Sequence, residues 1–130
     1  MIIDSQLALK SYDNSNKSTG TDRATEYRAL ANVTRDLANA DPSMLDYSSK
    51  LATALHRNMK LWTVLATDVA DNENLLAPQI RSKLFYLAEF VRLHTSKIHA
   101  READPQILID INKNLMRGLR ENSKTERTSA

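Results

Sequence analysis

The chain has 130 residues, 42% hydrophobic and 5% aromatic, with 18 basic and 16 acidic side chains giving a net charge of +2. That length suits one domain with a small, mainly aliphatic core. The absence of cysteine excludes disulfides, a thiol nucleophile and thiolate metal sites, and the near-balanced charge excludes a strong nucleic-acid polycation.

Two glycines and three prolines are too few for a fold rich in tight β-turns, so the expected class is all-α. No apolar run approaches the ~18–20 residues of a membrane span. The first ten residues carry no basic leader and no long apolar stretch, so no signal peptide is predicted and a cytoplasmic location is expected.

At the N-terminus, Ile3, Leu7 and Tyr12 suggest a short helical arm, followed by a polar, turn-rich linker over 13–22. The spacing of Tyr27, Leu30, Thr34, Leu37 and Ala38 predicts a first helix over 23–39, capped by Thr21 or Asp22. A second helix is predicted over 42–71, with Asp41 as N-cap and Pro42 in the first turn. Its apolar arc holds Met44, Tyr47, Leu51, Leu55, Asn58, Trp62, Leu65, Ala66 and Val69. Asn58 is out of place there, because burying an amide without a partner costs ~1–3 kcal/mol. It must find a partner, and that partner orients the helix. Asp68 and Asp71 in the last turn, with Glu73 just beyond, oppose the helix dipole. Local neutralisation by Arg81 and Lys83 is the expected answer, with an external partner as the alternative.

A third helix is predicted over 78–99. Ile80, Leu84, Leu87, Ala88, Val91 and Ile98 form its core stripe, and Tyr86, Phe90 and Leu93 form a second apolar stripe on nearly the opposite side. Such a helix either sits within a bundle or keeps one stripe for a partner. A fourth helix is predicted over 105–119, with Asp104 as N-cap and Gly118 as C-terminal cap. Ile107, Leu108, Ile111, Leu115 and Leu119 form its buried face, flanked by Asn112 and Met116, with Ile109 outside. The polar residues 121–130 read as a disordered tail. The expected architecture is a compact bundle of four main helices over 23–120 plus the N-terminal arm.

Candidate chemistry is sparse. His94 and His99 point about 140° apart on a regular helix and cannot share a metal. No HExxH motif, phosphate-binding glycine loop or nucleophile elbow is present, so no cofactor, small-molecule substrate or enzymatic activity is expected. Residues 79–102 carry five bases (Arg81, Lys83, Arg92, Lys97, Arg101) against Glu89 and Glu102. The bases are not confined to one side, which reads as a solvated surface more than an RNA-tracking patch. Interaction chemistry remains, with Asn58 and Asn112 as orienting polar groups.

Three ordered segments carry a resemblance. They are Asn58-Met-Lys-Leu-Trp62-Thr-Val-Leu-Ala-Thr-Asp68-Val-Ala; Asn74-Leu-Leu-Ala-Pro-Gln-Ile-Arg81 with Leu87-Ala-Glu-Phe90-Val91; and Ile111-Asn112-Lys-Asn-Leu-Met116-Arg-Gly118-Leu119. Together they resemble the FlaF family of flagellar biosynthesis regulators. The family usually places proline directly after the leucine of its Asn-x-Leu-Pro start, whereas Ala77 stands there in this chain and Pro78 follows. The resemblance implies a non-enzymatic, all-α cytoplasmic protein of bacterial flagellum assembly that serves flagellin as secretion chaperone or regulator, in concert with or opposition to FlbT. Partner-binding candidates are then Tyr86, Phe90 and Leu93, with Trp62 either an aromatic anchor or, as its place in the middle of the apolar arc favours, a core residue. The alternative functions are post-transcriptional control of flagellin messenger RNA, directly or through FlbT, and a structural adaptor between FlbT and flagellin.

Overall fold

The computed structural model describes residues 19–71 and 76–129, with side chains over 24–71 and 76–121. The expected N-terminal arm, including Ile3, Leu7 and Tyr12, lies outside the described residues. The described chain is four helices without a strand: α1 (Thr19–Asn39), α2 (Tyr47–Ala70), α3 (Pro78–His99) and α4 (Gln106–Ser129). α2 packs along both α1 and α3, and α1 packs along α4. Among the described residues, α3 has extensive contact with α2 alone, as α4 has with α1 alone, so α3 is one of two outer helices and leaves much of its circumference free.

α1 begins at Thr19 rather than at residue 23, since helix propagation is favourable once a turn has formed. Its buried row is Leu30, Val33, Thr34 and Leu37, and Ala38 turns outward. The buried Thr34 hydroxyl donates to the Leu30 carbonyl, four residues back.

α2 starts five residues later than its proline suggested. Asp41 does not cap it. Its carboxylate accepts from the Ser43 amide at 2.9 Å and the Ser43 hydroxyl at 2.8 Å, and those bonds hold the Asp41 carboxyl below the usual carboxylate range. This local turn competes with helix entry. The Met44 amide closes a second bond to the Asp41 carbonyl. Residues 42–46 are consumed in turns, Met44 is left exposed, and Asp46 becomes the N-cap. At the other end, Arg81 folds back from α3. Its Nε donates to the Val69 carbonyl and its guanidinium tip to the Asp71 carbonyl, each at 2.8 Å. A cation thus meets carbonyls at the α2 C-terminus, where it favours the helix dipole. Of the two bases expected to answer the acids there, Arg81 binds the backbone and Lys83 forms no ion pair among the described residues.

α3 runs over the predicted residues, with Pro78 in its first turn. Val91, Ile98 and Ala88 are buried with Thr95 and His94, while Ile80 is exposed at the helix start. Past Ala100 the chain makes a Schellman turn: the Glu102 amide donates to the Lys97 carbonyl at 2.8 Å and the Arg101 amide to the Ile98 carbonyl at 3.0 Å. Arg101 takes the left-handed backbone this turn demands, with φ 62°, a position glycine fills at less cost.

Asp104 accepts from the Gln106 amide at 2.7 Å, as an N-terminal cap of α4 should. Two expectations about α4 fail. Gly118 lies within the helix and has no left-handed backbone, so it ends nothing. The helix also continues through Ser129, where a disordered tail was expected, because 121–129 contains good helix formers and no proline. The domain boundary drawn at residue 120 therefore falls inside a helix.

Candidate functional site

The core is centred on a chain of buried polar groups. Trp62, Asn58 and Asn112 are all fully buried. The indole Nε1 of Trp62 donates to the Asn112 Oδ1 at 2.9 Å, and the Asn112 Nδ2 donates to the Asn58 Oδ1 at 2.8 Å. An indole can only donate, so Asn112 must offer its oxygen to Trp62 and its NH2 to Asn58. The direction of the whole relay follows. Its last member, the Asn58 Nδ2, has no partner among the described residues. The partner that Asn58 required is thus Asn112, fifty-four positions along the chain, and the relay joins α2 to α4.

This relay explains how α4 is rotated. Apolar periodicity placed Ile107 on the buried face and Ile109 outside it. The structure reverses them, with Ile107 43% exposed and Ile109 6% exposed. Turning Asn112 into the centre of the buried arc brings Ile109 in and swings Ile107 out. Two buried hydrogen bonds outweigh the exchange of one isoleucine for another, which is nearly neutral in apolar area.

Trp62 is therefore a core residue, the reading its place in the apolar arc favoured, and does not serve as an anchor in this arrangement. The other three candidates remain at the surface: Tyr86, Phe90 and Leu93 are 69%, 36% and 50% exposed. α3 holds them on a flank turned away from the Val91–Ile98 core row. The Phe90 ring stacks on His94, with centroids 5.6 Å apart and planes 11° from parallel. His94 is buried and its Nε2 lies 3.1 Å from the Asp104 carbonyl oxygen. The middle of the exposed row is thus braced through His94 to the turn that starts α4.

Sequence reasoning missed Phe85. It is 54% exposed on the other flank of α3, where it walls a cleft of ≈ 350 Å³ between α2 and α3. Met59, Trp62 and Ala66 line the α2 side, and Glu89 and Arg92 stand on the α3 side. Glu89 and Arg92 are engaged with each other in a two-pronged pair. That pairing holds the Glu89 carboxyl below its ordinary range and raises Arg92. Phe85 fits neither apolar stripe at helical spacing, so periodicity gave no signal for it. No group of three or more potential metal ligands occurs among the described residues, and no described helix is long and apolar enough to cross a membrane.

The site is thus an outer helix with apolar side chains on two exposed flanks, fastened to a polar-locked core. The sequence model of the family described as flagellar protein FlaF matches residues 8–119. The chain belongs to the FlaF family. The match reaches well upstream of Asn58, so membership embraces α1 as well as the three segments that first carried the resemblance. No curated protein and no solved structure matches the chain. Within this FlaF protein, Trp62 and Asn112 fall in two of those segments and meet in the core.

Proposed function

We propose that this FlaF protein is a non-enzymatic cytoplasmic chaperone that binds flagellin before secretion and regulates flagellin synthesis and export, with FlbT as a functional partner. The observation that carries this reading is the exposed row Tyr86, Phe90 and Leu93 on a helix whose opposite face is committed to the core. Three large apolar side chains at i, i+4 and i+7 are the complement of an amphipathic helix, the form expected of flagellin's terminal segments. Flanking support comes from His94, which orders the Phe90 ring before any partner arrives and so lowers the ordering cost of binding.

The messenger-RNA reading is weaker on this surface. Of the five bases in 79–102, Arg81 is engaged with carbonyls and Arg92 with Glu89. The decisive experiment is calorimetric titration of the protein with purified monomeric flagellin, free of RNA and FlbT. Saturable one-to-one binding with a negative heat-capacity change is expected. Absence of binding would transfer flagellin control to an indirect route through FlbT or RNA.

A further inference from the structure

The exposed row on α3 extends beyond its three apolar members. Lys83 precedes Tyr86 by three residues, and Lys97 follows Leu93 by four. The series Lys83, Tyr86, Phe90, Leu93, Lys97 therefore steps 3, 4, 3, 4, the spacing of a coiled-coil seam. All five side chains are exposed. Neither lysine forms an ion pair among the described residues, whereas Arg92 and Arg57 do. On the core side the seam is bounded by half-buried Leu87 and buried His94, and on the outer side by Ser82, Glu89 and Ser96. Lys83 and Lys97 stand about 21 Å apart at 1.5 Å per residue.

We infer that this seam receives one amphipathic helix of a different protein, with apolar residues at 3-4 spacing and an acidic residue beyond each end of its apolar row. The lysines select that occupant. A second copy of this chain docked antiparallel about Phe90 would set Lys83 against Lys97, and docked parallel would set each lysine against its twin. Either arrangement puts like charges together within the seam, which disfavours self-association. An acid-ended helix meets a cation at both ends and covers the three apolar residues between them. On the proposed function this occupant is a helical segment of flagellin, so the partner's name rests on that reading, while its chemistry rests on the seam.

The test uses the full-length protein, two synthetic helical peptides and flagellin monomer. Both peptides carry three leucines at 3-4 spacing, with glutamates at the two flanking seam positions in one and lysines in the other. The wild-type protein binds the glutamate-ended peptide more tightly than the lysine-ended one. In the K83E/K97E protein the preference inverts, with a change of about tenfold or more in the ratio. Circular dichroism of K83E/K97E matches wild type, as expected for two exposed substitutions. Equal binding of the two peptides, or an unchanged ratio in K83E/K97E, would overturn the seam's charge selection. Concentration-dependent dimerisation in sedimentation that Phe90→Ser abolishes would overturn it in favour of a second copy. Flagellin separates the two layers. Peptide selectivity without flagellin binding removes flagellin as the occupant and leaves the seam. Flagellin binding unaffected by both K83E/K97E and Phe90→Ser removes the seam and leaves the chaperone reading.

Discussion

Two regions of this molecule use side chains against their usual placement, in opposite senses. At the α2–α4 contact, two asparagines and an indole nitrogen are buried where aliphatic groups would serve. On α3, two phenylalanines, a tyrosine and a leucine are exposed where charged groups would serve. Buried polar groups must be satisfied directionally, so they reject alternative helix rotations more sharply than a hydrophobic surface can. Exposed apolar groups make no such demand on their own fold and are free to serve another molecule. Rigidity is invested in the first region and binding capacity in the second, and Phe90 on His94 is a physical link between α3 and the start of α4.

The comparison breaks most severely at Trp62. Trp62→Ala empties the centre of the core and strands the Asn112 oxygen, with an expected loss of ~3–5 kcal/mol in urea unfolding. Asn112→Ala is next. It leaves the indole N–H and the Asn58 oxygen buried without partners, for an expected ~2–4 kcal/mol. It should also broaden side-chain NMR signals from α4, because the directional lock on its rotation is gone. A loss below ~0.5 kcal/mol would mean that apolar contacts alone orient α4.

The outer region should behave in the opposite way. Phe90→Ala changes stability by ~1 kcal/mol or less, since the ring is partly solvated, yet weakens flagellin binding by about tenfold or more. A variant that unfolds, or that binds normally, counts against the division between the two regions. The smallest effects lie at one turn position and one helix position outside the buried relay and the exposed row. Arg101→Gly relieves the left-handed residue of the Schellman turn and is expected to stabilise by ~0.5–1 kcal/mol. Gly118→Ala, with open space where its Cβ would stand, is expected to stabilise by a similar ~0.5–1 kcal/mol in thermal unfolding. If either gain reaches flagellin affinity as well, the two regions are more tightly coupled than the Phe90–His94 contact implies.

Much of this was legible in the amino-acid sequence. Scarce glycine and proline with 3.6-residue periodicity determined an all-α fold, and Pro78 and Asp104 marked the starts of α3 and α4, because these signals act within a single turn. The exposed row on α3 was visible as a second apolar stripe for the same reason. Asn58 could be recognised as needing a partner, but its partner could not be named: Asn112 lies on a helix whose rotation is decided by the bond itself. Only the tertiary structure decided which role Trp62 takes, that Ile109 rather than Ile107 is buried, and that Arg81 closes the end of α2 through backbone carbonyls, without Lys83. Each depends on which groups from distant parts of the chain meet, and periodicity along one helix carries no record of what lies across from it.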